Sequence, residues 1–183
     1  MLEANTAAAI EVVPGAVEIR EQWPTVTYRG DGGGQQSHIF DFWVRMATGL
    51  RVAIAVKPAS KVETSGLART IELIREQGVL RPLADATRVL TEAEVSRGVA
   101  RNARRILRAR RMRNEAEVEA ARRDLAGRRG WFRFADPLRG LPVEAHRRTA
   151  LWNLIDEGFL VAREDGDIVD RSLVRVAPLP TTA

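Results

Sequence analysis

Cysteine is missing from all 183 residues, which excludes disulfide stapling, thiolate metal sites such as zinc fingers, and cysteine nucleophiles. Lysine is nearly missing as well. Only Lys57 and Lys61 occur, and every other fixed positive side chain is an arginine. No apolar run approaches the roughly eighteen residues of a membrane span, and no basic stretch followed by an apolar one opens the chain. The expectation from these absences is a cytoplasmic protein with no membrane segment, long enough for one compact domain and a small second one.

What is present in excess is arginine, and it is concentrated. The stretch "RNARRILRARRMR" places Arg101, Arg104, Arg105, Arg108, Arg110, Arg111 and Arg113 on a predicted helix, in a chain whose formal net charge is +5. Such density can neutralise several phosphates, and binding of that kind falls steeply with salt. No acid stands at i+4 spacing to pair with these arginines before Glu115. A polyanionic partner is therefore expected, with Arg101, Arg104, Arg105, Arg108 and Arg111 as expected phosphate contacts and Lys61 as either a further one or a solvated loop charge. The competing reading is a solvated helix face in an arginine-biased chain.

Along the chain, "LEANTAAAIEVV" reads as a short helix burying Leu2, Ala9, Ile10 and Val13, ended by Pro14-Gly15. "AVEIREQW" and "TVTYRG" read as extended segments broken at Pro24. "GDGGGQQS" has no following helix and no lysine-serine pair, so it is expected to be a hairpin tip rather than a phosphate cradle. "HIFDFWVRM" reads as one strand, Thr48-Gly49 as a turn, and "LRVAIAVKP" as a central strand closed by Pro58. A helix from Ser60 or Ser65 to about Gln77 follows, with Leu67, Ile71 and Ile74 spaced for burial, and then the strand "ATRVLT". Thr91 with Glu94 forms a capping-box pattern, predicting a helix from Glu92 into the arginine cluster. The order predicts a mixed α/β unit over residues 1–113.

A second unit is expected over 114–177, with 178–183 as a tail. "NEAEVEAARRDL" and "VEAHRRTALWNLIDEG" read as helices, the latter with Ala150, Leu151, Leu154 and Ile155 as its apolar stripe. "FLVAREDGDIVDRSLVRV" reads as two strands around Asp165-Gly166. A helix ending in glycine, then a strand and a hairpin, is the pattern of a winged helix. In a DNA reader that helix enters the major groove with His146, Arg147 and Arg148 near its start. Glu164, Asp165, Asp167 and Asp170 in the wing repel phosphate, which makes protein binding the alternative for that face.

Strand alternation places Arg51, Ala53, Ala55 and Lys57 on one face, and the Thr48-Gly49 turn brings Asp41 on the neighbouring strand close to Lys57. A carboxylate converging with a lysine suits a divalent cation and an activated water, provided further oxygen ligands come from elsewhere. His38 and His146 lack ligand companions in the sequence, so surface or capping roles are expected of them. Trp23, Trp43 and Trp152 are expected in the core rather than as base-stacking platforms.

These residues and their order resemble the PD-(D/E)XK nuclease superfamily, and more closely the TnsA-type endonuclease subunit of heteromeric transposases. The matching stretches are "LEAN" at Glu3, "REQWP" at Glu21 to Pro24, "IFDF" at Asp41, "AVKP" at Lys57, "VLTE" at Glu92 and "RNAR" at Asn102. The resemblance spans nearly the whole chain, although each motif is short. It implies a restriction-endonuclease-like mixed sheet flanked by helices, a C-terminal winged-helix-like domain, and a Mg2+- or Mn2+-dependent endonuclease that cuts DNA at mobile-element ends beside a separate transposase. Glu3 and Asp41 would then be metal ligands, and Lys57 would stabilise developing charge or position the attacking water. Glu3 has a plainer alternative as a first-turn acid favoured by the helix dipole.

Two departures stand out. Phe40 replaces the proline usual before Asp41, and Ala55 replaces the acid or glutamine two residues before Lys57. Three explanations of Ala55 remain open: a substitute ligand from Glu21, Gln22, Glu18 or Glu63; a site completed by substrate phosphate and waters; or a fold that has lost catalysis. The functional alternatives are accordingly a non-catalytic DNA-binding or recruitment subunit, and a winged-helix transcriptional regulator built on the second unit.

Overall fold

Ile54 and Val56 alternate with Ala53 and Ala55 along β5 (Arg51–Val56), and all four are buried, so this strand has protein on both faces. It pairs antiparallel with β4 (Phe42–Met46) and parallel with β6 (Ala86–Leu90), and β4 pairs antiparallel with β1 (Ala16–Glu21). The result is a mixed four-stranded sheet in the order β1-β4-β5-β6. The computed structural model describes residues 2–178 and divides them into two compact units between Ser96 and Arg97, so the arginine-rich helix belongs to the second.

In the first unit, α1 (Leu2–Glu11) covers one face of the sheet, with Ile10 in a cluster with Phe42, Val44, Ile54 and Val56. Its buried face is Asn5, Thr6, Ala8 and Ile10, while Val13 is exposed, a rotation from the expected apolar stripe. Thr6 tolerates this because its hydroxyl donates to the Leu2 carbonyl at 3.0 Å. The other face carries α3 (Leu67–Glu76) and the hairpin β2 (Thr25–Arg29) and β3 (Gln35–Ile39), which enclose Phe40, Trp43, Ala53, Ala55, Ile71 and Ile74. The single helix expected up to Gln77 is interrupted: α2 (Ala59–Val62) ends before Gly66, whose φ of +69° no continuing helix permits, and α3 starts at the next residue.

The strand expected over "HIFDFWVRM" is two strands in two sheets. β3 pairs only with β2, and β4 runs between β1 and β5. Side-chain burial explains the break. In a straight strand Phe40 and Phe42 share a face, whereas here Phe40 joins the cluster under α3 and Phe42 the one under α1. The bend at 40–41 is held by Phe40 N donating to Pro24 O (3.1 Å) and Gln22 N donating to Asp41 O (2.8 Å).

The capping box at Thr91 forms, with Glu94 accepting from both the Thr91 amide and its hydroxyl. It closes a single turn rather than opening the long helix. α4 begins only at Arg97 and runs to Arg111.

The second unit continues with α5 (Glu115–Ala126), capped by the Asn114 side chain, then β7 (Phe132–Arg133), a 3₁₀ turn at Asp136–Leu138, α6 (Glu144–Asp156), β8 (Leu160–Ala162) and β9 (Leu173–Val176). The strands form an antiparallel sheet in the order β7-β9-β8. α4 packs on α6, and its buried face is made mostly of small residues, Gly98, Ala100, Ala103 and Ala109, with Ile106 among them. α6 is the centre of the unit: Ala150, Leu151, Trp152, Asn153 and Leu154 are buried, and Asn153 Nδ2 donates to the Ala109 carbonyl.

Candidate functional site

The antiparallel ladder of β4 and β5 ends at Phe42 opposite Ile54. One residue before it, the Asp41 side chain takes over as acceptor: Oδ2 receives the Val56 amide at 2.7 Å. That bond sets the carboxylate against the last residue of β5, and Lys57 follows immediately. The Lys57 amide is itself fixed, donating to Leu90 O of β6 at 3.0 Å. Asp41 and Lys57 are both half-buried and lie at the same end of the sheet, as the hairpin register predicts, without forming an ion pair. The Lys57 ammonium has no hydrogen-bond or ion-pair partner among the described residues.

A third group joins them. His38 on β3 stacks edge-on against Phe40 at 4.7 Å, and its Nε2 is buried without a hydrogen-bond partner. Burial pushes the imidazole below its ordinary pKa, nearby Asp41 opposes the shift, and nearby Lys57 adds to it. The sequence gives no hint of this, because the bend at 40–41 that brings β3 to the site is not visible as a spacing.

The remaining expected residues are distributed differently. Ala55 is 2% exposed and packed in the cluster under α3, so its methyl group is core and contributes nothing to a cation site. Glu3 is exposed on α1, the helix that covers the opposite face of the sheet. Glu21 is exposed and pairs in register with Phe42, one residue from Asp41. Gln22 holds the Asp41 carbonyl through its amide, and its φ of 51° is unusual for a side-chain-bearing residue. Glu18 is taken up by hydrogen bonds from Arg20 and then Arg45, which hold its carboxyl below the ordinary range. Glu63 and Lys61 are exposed at α2. Glu92 accepts the Ala59 amide at 2.9 Å, tying the end of β6 to α2. Among the described residues, no group of three histidine, aspartate or glutamate side chains is placed to hold a metal ion.

In the second unit the arginines of α4 find acids that sequence spacing could not reveal. Arg101 and Arg105 both pair with Asp167, at 2.9 and 2.7 Å, and Arg110 pairs with Asp156 at 2.7 Å. Arg113, just beyond the helix, pairs with Glu115 and Glu157. Asn102 ties the loop between β8 and β9 to α4, donating to Gly166 O and accepting from Ile168 N. Arg104 is exposed, while Arg108 and Arg111 are exposed with no ion-pair partner among the described residues. Asp167 thus serves the fold, and Asp170 is held by Arg148.

The expected base-reading end of α6 is also committed. Arg147 is 7% exposed and donates to Glu117 (2.5 Å) and Asp124 (2.8 Å) on α5. Burial works against its charge, but the two carboxylates raise its pKa above the ordinary value. It cannot reach a base edge without leaving this pocket. Trp43 and Trp152 lie in the core, Trp23 is half-buried against Trp43, and the Trp43 indole donates to Leu83 O.

No protein-family model matches the chain, and no curated protein matches it either. Among the described residues, no helix is long and apolar enough to cross a membrane.

Proposed function

We propose that the protein is a DNA-processing subunit whose first unit is a restriction-endonuclease-like, divalent-metal-dependent endonuclease domain acting at mobile-element ends, and whose second unit is winged-helix-like. The observation that carries this reading is the Asp41 carboxylate bonded to the Val56 amide beside Lys57, at one end of a mixed sheet flanked by α1 and α3. The order α6, β8, loop, β9, with β7 added to the hairpin, supports the winged-helix reading.

The donor set fits a lean metal site. Magnesium is commonly held by one or two carboxylates with substrate phosphate and waters completing its shell. Asp41 has a second carboxylate oxygen that Val56 does not use, and the orphaned Nε2 of His38 is a second donor nearby. A bound Mg2+ or Mn2+ would supply charge neutralisation and a nucleophilic water at neutral pH. Asp41 and His38 would hold it, and Lys57, unpartnered and half-buried, would lie against the charge developing on the phosphate. An imidazole among the ligands shifts preference from magnesium toward manganese and later transition metals.

A second reading, a nuclease fold retained as a non-catalytic DNA-binding or recruitment scaffold, is favoured by one observation: the buried methyl of Ala55 stands where an oxygen ligand belongs. Nicking of supercoiled plasmid with magnesium or manganese, with and without a transposase partner, separates the two. Asp41→Asn preserves an acceptor for the Val56 amide and Lys57→Ala leaves Asp41 in place, so both should fold while losing nicking, and wild type should prefer manganese. Wild type that never nicks, or variants that nick as well as wild type, would overturn the endonuclease reading.

A further inference from the structure

Between α4, α6 and the Ile168–Asp170 segment lies an open groove of ≈ 700 Å³, large enough for several side chains of a ligand. Its apolar lining includes Met112, Phe134, Trp152, Ile168 and Val169. Met112 is 55% exposed and Val169 37%, so this apolar surface faces outward rather than closing on itself. The charged lining is Arg105, Arg108 and Arg148 against a single acid, Asp170, with His146 at the α6 end.

We propose that this groove docks an acidic amphipathic helix presented by a partner protein. Two of its three arginines are already neutralised, Arg105 by Asp167 and Arg148 by Asp170. What remains is Arg108, exposed and without an ion-pair partner among the described residues. A phosphate backbone needs several free cations along a track, and one arginine over an apolar floor does not supply them. One or two carboxylates flanking a row of apolar side chains match it on both counts.

The shape also favours a helix. Met112 follows the last residue of α4 and its amide donates to Arg108 O at 3.1 Å, so the two stand one turn apart, as do Arg148 and Trp152 on α6; each side of the groove thus presents an i, i+4 pair. Such walls receive the i, i+3, i+4, i+7 ridge of an amphipathic helix. The inference stands whether or not the first unit cleaves DNA.

The test is selection of a displayed library of random helical peptides of about four turns on the full chain, counter-selected against the double variant Arg108→Glu, Met112→Glu. Both residues are exposed, and far-UV circular dichroism would verify that the variant folds. Enriched peptides should carry net negative charge and a helical apolar ridge. By fluorescence anisotropy they should lose at least about tenfold in affinity on Met112→Glu, the loss expected when an anchoring contact is removed. Arg108→Glu should weaken them, and replacing the peptide's acids with lysine should restore binding to that variant. No enrichment over the double variant, or enrichment of basic or non-amphipathic peptides, would overturn the proposal. So would loss of duplex DNA binding on the same substitutions while peptide binding is unaffected.

Discussion

Gly98 sets two effects of opposite sign against each other. It lies in the first turn of α4, and on helix propensity alone alanine should be better by about 1 kcal/mol. A Cβ there would stand 2.6 Å from Asp167 N and 2.9 Å from Gly166 C, both backbone atoms that cannot swing aside. Relief requires the loop between β8 and β9 to move. Overpacking of this kind costs about 1–3 kcal/mol. Shifting the loop also weakens the two Asn102 bonds to it, at about 0.5–1.5 kcal/mol each. Gly98→Ala should therefore destabilise the second unit by about 1–5 kcal/mol, lowering its Tm by at least about 4 °C for a domain of this size. Calorimetry on the full chain would resolve the transition, with Gly127→Ala as control. At Gly127, the C-cap of α5, φ is −88° and the added carbon meets nothing within 4 Å. The control should melt at or slightly above wild type. If Gly98→Ala also melts at or above wild type, the close approach of α4 to the loop between β8 and β9 is wrong.

Arg147→Met keeps the stem but strands Glu117 and Asp124. Both acids are partly exposed, so the cost should fall below the full buried-pair value, at about 2 kcal/mol, read as a lower urea midpoint; an unchanged midpoint would show that the buried pairs contribute nothing net. His38→Gln tests the buried imidazole. Because burial depresses its pKa in the fold, the unfolded chain takes up the proton first as pH falls. The stability it contributes is full above about 6.5 and is lost as pH falls from there through the folded value. The decline of the first unit's Tm on acidification should therefore be shallower in His38→Gln, and identical slopes would place the imidazole in solvent.

Local features of the fold were largely legible in the sequence. The Thr48-Gly49 turn, the alternating β5, the glycine-rich hairpin tip and the Thr91-Glu94 box all form, because each depends on residues within one or two turns of chain. The bend at Phe40-Asp41 was not legible, since it arises from two phenylalanines being drawn to opposite faces of a sheet whose layers no local pattern specifies. The pairing of Asp41 with the end of β5 followed from register, but the approach of His38 depended on that bend. The α4 arginines were misleading for a related reason. Asp156 and Asp167 lie more than forty residues away in the chain, beyond any i, i+4 argument, yet they take up Arg110, Arg101 and Arg105. Charge density in a sequence measures what a helix carries, and the tertiary partners decide how much of it remains for a ligand.

The burial of Ala55 also bears on how such a chain can change over time. Its methyl group is wedged with Phe40, Ile74 and Ala53 beneath α3, so a longer acidic side chain at that position has no room and no water. Placing a carboxylate at position 55 would disrupt the core, and only a compensating retreat of α3 would give the new group room. Position 55 is thus closed to any single polar substitution, because a new group there must arrive together with compensating changes in its neighbours Phe40, Ala53 or Ile74.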